Sequence, residues 1–191
     1  MTTTDQRHAD LVARADREGL LDIAYRTLDS PLGPLLLAAT GAGVLRVAFE
    51  IEDHDAVLTD LAARVSPRIL HAPARLDDAA RGIEAYLTGR GRAVEVPVDL
   101  TLLRGYRREV VMTLPRIGYG TTASYAHLAE LTGRPRAVRA VGSACANNPV
   151  PLLLPCHRVV RSDGSAGGYR GGPQAKRALL ELETEVDLPL S

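Results

Sequence analysis

A cysteine followed directly by a histidine is the part of the chain best suited to chemistry. Cys156 and His157 come after an apolar run over residues 150–154 and before a glycine-rich turn. The apolar run indicates a thiol held at a fixed depth, and an adjacent imidazole can take its proton, so the pair suggests an activated nucleophile. The alternative is structural, since free cysteine is among the most buried residue types. The neighbouring histidine favours the chemical interpretation.

A carboxylate further along the chain can complete this pair. Glu183 lies among Leu179, Leu180 and Leu182, whose spacing predicts an apolar helix face. A carboxylate buried there without a partner would be costly, whereas one bonded to the second nitrogen of His157 would fix the imidazole tautomer. We therefore expect Glu183 to pair with His157. The alternative is a solvated glutamate near the end of the chain.

Length and composition exclude several classes of protein. The 191 residues are 46% hydrophobic and 24% charged, which is enough to build a core. No apolar stretch approaches the about 20 residues of a membrane span, and the polar N-terminus has no signal-peptide core. We expect a cytoplasmic protein with no membrane association. Two cysteines are too few for a disulfide scaffold, and the histidines show no ligand spacing with Cys145, so we predict no metal and no cofactor.

The formal net charge of zero conceals a partition along the chain. Residues 1–100 carry 11 basic and 16 acidic side chains, residues 101–178 carry 12 and 3, and residues 179–191 carry 0 and 4. An acidic first half beside a basic second half is typical of a protein in which only one part meets a polyanion. The alternative is a solvated cationic face that serves solubility.

The first half has the pattern of a small sheet with helices. Alternating residues predict an antiparallel sheet with strands near 23–27, 35–39 and 44–49, and a further strand over 94–98 that returns to it. Helical spacing over 57–65 and 76–87 predicts two helices, and we assign their apolar faces to the core. Residues 1–19 suggest a loose amphipathic helix.

The second half has the pattern of short helices. A helix over 106–114 is followed by a break at 117–120, and Thr122 or Ser124 can cap a helix that stops at Gly133. A second helix over 136–147 follows closely and carries Arg136 and Arg139 among small residues. This is the layout of a helix-turn-helix, in which the second helix enters a DNA groove. Many helical hairpins bind nothing, so the motif is weak by itself.

Five blocks of sequence in this order carry a resemblance to a known family. They are residues 139–142 (RAVG), 148–151 (NPVP), 154–160 (LPCHRVV), 167–172 (GGYRGG) and 176–183 (KRALLELE). Together they resemble the methylated-DNA–protein-cysteine methyltransferases, also called O6-alkylguanine-DNA alkyltransferases. The resemblance implies direct, single-turnover transfer of a methyl or other alkyl group from the O6 of guanine to a cysteine of the protein itself. The O4 of thymine is a second candidate donor.

The resemblance also implies a fold. It is an α/β (α+β) chain in which a ribonuclease-H-like sheet-and-helix domain precedes a helical domain with a winged helix-turn-helix. We expect a flexible leader over 1–21, the first domain over 22–99, a linker over 100–104 and the DNA-binding, alkyl-accepting domain over 105–191. The partner implied is alkylated double-stranded DNA, and we expect the protein to be a monomer.

The same resemblance assigns the catalytic residues. Cys156 is implied to accept the alkyl group, and His157 to act on the thiol through a water molecule. Glu183 is implied to orient His157, and Asn148 to fix the hinge between the recognition helix and an active-site strand. These four residues form the predicted catalytic set.

Five further residues are predicted to bind DNA. Arg139 is implied to take the place of the flipped base and Tyr125 to rotate the phosphate, and we add Arg136, Ser162 and Tyr169 as contacts. Three more arginines are generic candidates for phosphate contacts: Arg134, Arg158 and Arg161. We expect the glycine-rich segment 167–172 to form a flexible flap that leaves room for a base.

The chain departs from the family at one position, and its sequence leaves two other functions as alternatives. The family leads us to expect a tryptophan at Val111, and the chain has none, which bears on packing rather than chemistry. A non-repairing lesion sensor or DNA-binding regulator is the main alternative function. The complete set of Cys156, His157, Glu183 and Asn148 favours repair. A cysteine hydrolase is a third possible function, but the sequence offers no support for an acyl-enzyme mechanism.

Overall fold

The structure, a computed structural model, describes residues 3–185, so the ends of the expected leader and of the expected second domain lie outside it. A helix, α1 (Thr3–Arg17), agrees with the amphipathic helix expected near the N-terminus. It packs on the first half of the chain through the buried Ala15, and the His8 imidazole lies 2.6 Å from the His71 carbonyl oxygen. None of the described helices has the length and apolar character required to span a membrane.

A four-stranded sheet forms the centre of the first half. Its strands are β1 (Ile23–Leu28), β2 (Leu35–Thr40), β3 (Gly43–Phe49) and β4 (Ile69–His71), in the order β3-β2-β1-β4. The first three are antiparallel neighbours, as predicted, but β4 lies parallel to β1. The prediction of a purely antiparallel sheet was therefore wrong, because the three-residue β4 is too short to show a periodic pattern.

The strand predicted over 94–98 does not form. This segment makes a single bridge, between Val98 and Val44. The Pro97 carbonyl accepts from the Val44 N–H at 2.8 Å, but Pro97 has no N–H with which to extend a ladder. Its alternating valines reflect partial burial beside the sheet instead.

Each face of the sheet is covered by a helix. Helix α2 (His54–Arg64) packs Val57 and Leu61 on the face that carries Leu36 and Ala38. Helix α3 (Asp77–Leu87) buries its apolar stripe in the larger core on the opposite face, which continues into the second half of the chain. Alternate side chains of β2 reach opposite faces, as the period of two in a strand requires.

The second half is built from short helices, as predicted. They are α4 (Gly105–Thr113), α5 (Tyr125–Leu131), α6 (Val138–Ala146) and α7 (Gly172–Glu185), with a parallel pair of two-residue strands, β5 (Ala123–Ser124) and β6 (Val159–Val160). The Ser124 hydroxyl caps α5 by accepting from the His127 N–H at 3.0 Å. Val111, where a tryptophan was expected, is fully buried in the core shared by these helices.

Helices α5 and α6 form the predicted helix-turn-helix. Gly133, with φ +70°, ends the first helix, and its N–H donates to the Glu130 carbonyl at 2.8 Å. The second helix begins at Val138, two residues later than predicted. Arg136 therefore lies in the turn before α6 and Arg139 in its first turn.

Candidate active site

Three predicted site residues are buried in the second half, and two of them, His157 and Glu183, are in contact. Cys156 is 3% exposed, His157 0% and Glu183 1%. The cysteine and histidine begin a short 3₁₀ helix (Cys156–Arg158), and Glu183 comes from α7. His157 Nε2 lies 2.8 Å from Glu183 Oε1. The expected active-site strand starts only at Val159, so the cysteine sits on a turn instead.

Glu183 remains a carboxylate although it is buried. Both of its oxygens accept from the Arg158 guanidinium at 2.9–3.1 Å, and Oε2 also accepts from the Gly120 N–H at 3.0 Å. Burial acts to raise the pKa of Glu183, but the hydrogen bonds from His157, Arg158 and Tyr86 outweigh it and lower that pKa to about 2. The carboxylate is therefore ionised and fully bonded.

Arg158 has a structural place that the sequence did not indicate. We predicted it as a phosphate contact, but its side chain is buried against Glu183, and Nη1 donates to the Ile117 carbonyl at 2.8 Å. A guanidinium with these partners is not available to DNA, so the prediction was wrong. Burying an unpaired charge is costly, and the ion pair between Arg158 and Glu183 provides each residue with an opposite charge.

Tyr86 is a member of the site that sequence reasoning missed. Its hydroxyl donates to Glu183 Oε1 and lies 3.0 Å from His157 Nε2. Burial raises the pKa of the Tyr86 phenol, so it stays protonated. The helical spacing over 76–87 predicts that Tyr86 lies on an apolar core face, where its ring indeed packs. The only feature of the sequence that could have indicated this role is the hydroxyl group, since a buried tyrosine needs a hydrogen-bond partner.

The network determines which nitrogen of His157 carries the proton. Glu183 is ionised and can only accept, so Nε2 must donate to it. Nδ1 is buried and has no hydrogen-bond partner in the part of the chain that the structure describes. Burial lowers the pKa of His157 despite the opposing effect of Glu183. The ring is therefore neutral, with a lone pair at Nδ1 that can accept a proton.

The Cys156 thiol is protonated in the resting site. Burial raises the pKa of this thiol to about 11, while the Asn148 side chain and the positive charge of Lys176 act in the opposite direction. The ammonium of Lys176 is itself buried and donates to the Val159 carbonyl at 2.6 Å. A thiol in this state needs a base to become a nucleophile.

Asn148 braces the loop between α6 and Cys156. The residue is fully buried, its Nδ2 donates to the Leu154 carbonyl at 2.7 Å, and its Oδ1 accepts from the Val150 N–H at 3.1 Å. Leu152, inside this loop, has a positive φ of 74°. The two bonds of Asn148 hold a strained turn closed just ahead of the cysteine.

The segment expected to be a flexible flap is anchored on the first half of the chain. The Tyr169 ring packs edge-on against Phe49, with centroids 5.5 Å apart, and against His157 at 6.3 Å. Arg170 Nε lies 2.6 Å from Glu52 Oε2. A Cβ at Gly171 would come within 2.8 Å of the Phe49 ring, so only glycine permits this approach. The segment thus covers the site from one side.

Three of the remaining residues predicted to bind DNA are exposed at the surface, whereas Tyr125 lies beside the site. Arg136 and Arg139 are exposed around the start of α6, and Ser162 is exposed in the turn after β6. Tyr125 begins α5 and is half-buried. A Cβ at Gly167 would lie 2.7 Å from its hydroxyl oxygen, so Tyr125 rests against the same segment as Tyr169.

Comparisons with known proteins agree on one family for most of the chain. The model of the ribonuclease-like domain of 6-O-methylguanine DNA methyltransferase matches residues 23–100, and that of its DNA binding domain matches residues 105–185. A methylated-DNA–protein-cysteine methyltransferase of Mycobacterium tuberculosis is 39% identical over 169 residues, 84% of this chain and 92% of that protein. The bifunctional transcriptional activator/DNA repair enzyme Ada of Escherichia coli is 38% identical over 169 residues, 86% of this chain and 46% of Ada.

Solved structures show the same relationship. The crystal structure of Mycobacterium tuberculosis O6-methylguanine methyltransferase matches with a TM-score of 0.75 at 36% identity, covering 88% of this chain and 96% of that one. The structure of Mycobacterium tuberculosis OGT in complex with DNA matches with a TM-score of 0.73 at 37% identity, covering 85% and 94%.

Proposed function

The chain belongs to the 6-O-methylguanine DNA methyltransferase family, which repairs DNA by moving an alkyl group from a base to a cysteine, and we propose that Cys156 is that cysteine. The observation that carries this assignment is the state of its neighbour. His157 Nε2 is fixed by Glu183 at 2.8 Å, while Nδ1 keeps a lone pair. Cys145, the other cysteine, lies within α6, and burial raises the pKa of its thiol to about 12.

The first step is proton removal from the thiol. The Cys156 S–H proton passes to Nδ1 of His157, directly or through a water molecule, and leaves a thiolate and an imidazolium. The carboxylate of Glu183 stabilises the imidazolium through its bond to Nε2. General-base assistance of this kind contributes about 10²–10⁴-fold to a rate.

The second step transfers the alkyl group. The thiolate sulfur attacks the carbon bonded to guanine O6, so an S–C bond forms as the C–O6 bond breaks. The bonding electron pair goes to the guanine oxygen, and the base regains a proton that balances the one lost by the thiol. The thioether has no easy leaving route, so each molecule reacts once.

The alkylated base must leave the DNA helix to reach a buried sulfur. We propose that α6 enters the groove and that Arg139 fills the space of the extruded base, since its exposed side chain is long and cationic. Arg136 and Ser162 are exposed and suited to backbone contacts, and Tyr125 and Tyr169 flank the segment 167–172 beside the site. The protein is proposed to act as a cytoplasmic monomer.

Mass spectrometry of the intact protein tests the assignment. After incubation with duplex DNA that contains O6-methylguanine, the protein should gain one methyl group, and peptide mapping should place it on Cys156. Cys156→Ser should abolish the gain while DNA binding persists, because a hydroxyl is a far poorer nucleophile.

Cys145→Ser is the matched control and should still be methylated at Cys156. A methyl group on Cys145 would refute the assignment. Lesion binding with no methylated residue would favour the non-repairing sensor.

A further inference from the structure

Three buried polar atoms from two separate parts of the chain meet at one point. The Tyr86 hydroxyl oxygen lies 3.0 Å from His157 Nε2 and donates to Glu183 Oε1, and those two atoms are 2.8 Å apart. Tyr86 belongs to α3 on the sheet of the first half, whereas its two partners belong to the second half. The first half therefore contributes directly to the His157–Glu183 pair.

The available protons determine how Tyr86 is bonded. The phenol has one proton, and it points to Glu183, which accepts only. The lone pairs of the phenol oxygen then face Nε2, which carries the proton of the neutral ring. Nε2–H is thus shared between Glu183 Oε1 and the Tyr86 oxygen.

We infer that Tyr86 is a positioning residue whose oxygen stabilises the His157 imidazolium and so assists deprotonation of Cys156. The inference rests on the proposed role of Cys156 and deepens it. Arg158 compensates part of the Glu183 charge through its bonds to both carboxylate oxygens. A second acceptor at Nε2–H is therefore useful when that ring becomes positive.

A purely structural role for Tyr86 is the competing explanation. Its ring packs edge-on against Tyr119, with centroids 6.2 Å apart, and a phenylalanine would keep this contact. Tyr86→Phe therefore removes the hydroxyl and little else. If the hydroxyl only satisfied the core, its loss would change stability and leave the basicity of His157 as it was.

Single-turnover rates measured across a range of pH separate the two explanations. With duplex DNA containing O6-methylguanine, Tyr86→Phe should react about tenfold more slowly near neutral pH, a fraction of what a general base contributes. The deficit should shrink as the pH rises, because hydroxide increasingly replaces the base. Tyr25→Phe, the same substitution at a half-buried residue of β1, is the matched control and should react like wild type.

Nitrogen-15 NMR titration of His157 tests the inference without the reaction. The imidazole of Tyr86→Phe should titrate at lower pH than that of wild type. Replacing Tyr86 with 4-aminophenylalanine keeps the size and a donor for Glu183 but supplies a much poorer acceptor. This second variant keeps the test possible if the phenylalanine variant does not fold. In it, too, His157 should titrate at lower pH than in wild type.

Each outcome has one meaning. A wild-type titration of His157 in both variants, or slowing by the same factor at every pH, would overturn the role of Tyr86 while leaving that of Cys156 intact. A wild-type protein that carries no methyl group on Cys156 would instead overturn the proposed function, and with it the catalytic purpose of Tyr86.

Discussion

Glu183 is bonded to more groups than any other side chain of the site. It accepts from His157, Arg158, Tyr86 and the Gly120 N–H. These bonds come from three different segments, so the carboxylate ties the reactive turn to both halves of the molecule. A buried carboxylate with this many donors stays ionised, which a base that becomes an imidazolium requires.

Acid should remove the stabilisation that Glu183 provides. Its pKa is about 2 in the folded protein against an ordinary value of 4.5. A lowered pKa contributes stability that is complete above the unfolded value and is lost as the pH falls through the folded value. Between about pH 5 and pH 2, wild type should lose about 3 kcal/mol of unfolding free energy from this residue alone.

Urea unfolding at a series of pH values measures this loss. Glu183→Gln should be less stable than wild type at neutral pH, and its stability should depend less on pH in the acid range. Glu181→Gln, an exposed residue on the same helix, should follow the wild-type curve. Parallel curves for wild type and Glu183→Gln would mean that folding does not shift the pKa of Glu183.

The turn between β2 and β3 shows how an element depends on a distant segment. Gly43 begins β3 with φ +142°, and a Cβ there would lie 2.5 Å from the carbonyl carbon and oxygen of Pro97. Segment 94–98, which does not form the predicted strand, thus contacts the sheet at a position where no side chain fits. Glycine is required here by both conformation and space.

Gly43→Ala should therefore destabilise the fold by about 3 kcal/mol, the cost of overpacking together with an unfavourable φ. Gly41→Ala in the same turn is the matched control, because nothing lies within 4 Å of its Cβ position. Thermal unfolding of both variants measures the difference. Equal melting temperatures would show that the contact with Pro97 can relax.

The fold determines which of the basic residues in the second half are exposed. Residues 101–178 carry 12 basic side chains, but Arg158 and Lys176 are buried in the interior and cannot meet a polyanion. Arg136 and Arg139 lie exposed at the start of α6, and Arg161 is exposed at the end of β6. Arg136 and Arg139 therefore remain available at the start of the helix proposed to enter DNA.

Binding to DNA should weaken linearly as the logarithm of salt concentration rises, because neutralised phosphates release counterions. Arg136→Ala, which removes a proposed phosphate contact, should reduce the slope of log K by about one. Arg90→Ala, an exposed arginine of the first half, is the control and should leave the slope unchanged. Fluorescence anisotropy with labelled duplex DNA measures these slopes. An affinity independent of salt would contradict a DNA-binding role for this surface.

The sequence by itself determined the features that local patterns encode. Three strands of the first half, its two central helices and the helix-turn-helix follow from periodicity and from capping residues such as Ser124 and Gly133. The juxtaposition of Cys156 and His157 needs no folding at all. The family followed from five ordered blocks around them, and the comparisons with known proteins confirm it.

Only the tertiary structure decided which residues surround the reactive pair. Tyr86 lies 97 positions from Glu183, and no local pattern distinguishes its hydroxyl from that of a tyrosine bonded elsewhere in the core. Arg158 resembles a surface arginine in sequence, yet the desolvation of Glu183 requires a cation beside it. Similarly, the parallel pairing of β4 with β1 and the absence of a strand over 94–98 depend on which segments supply hydrogen-bond partners for the backbone. Such partners are determined by packing between distant segments, which composition and spacing do not encode.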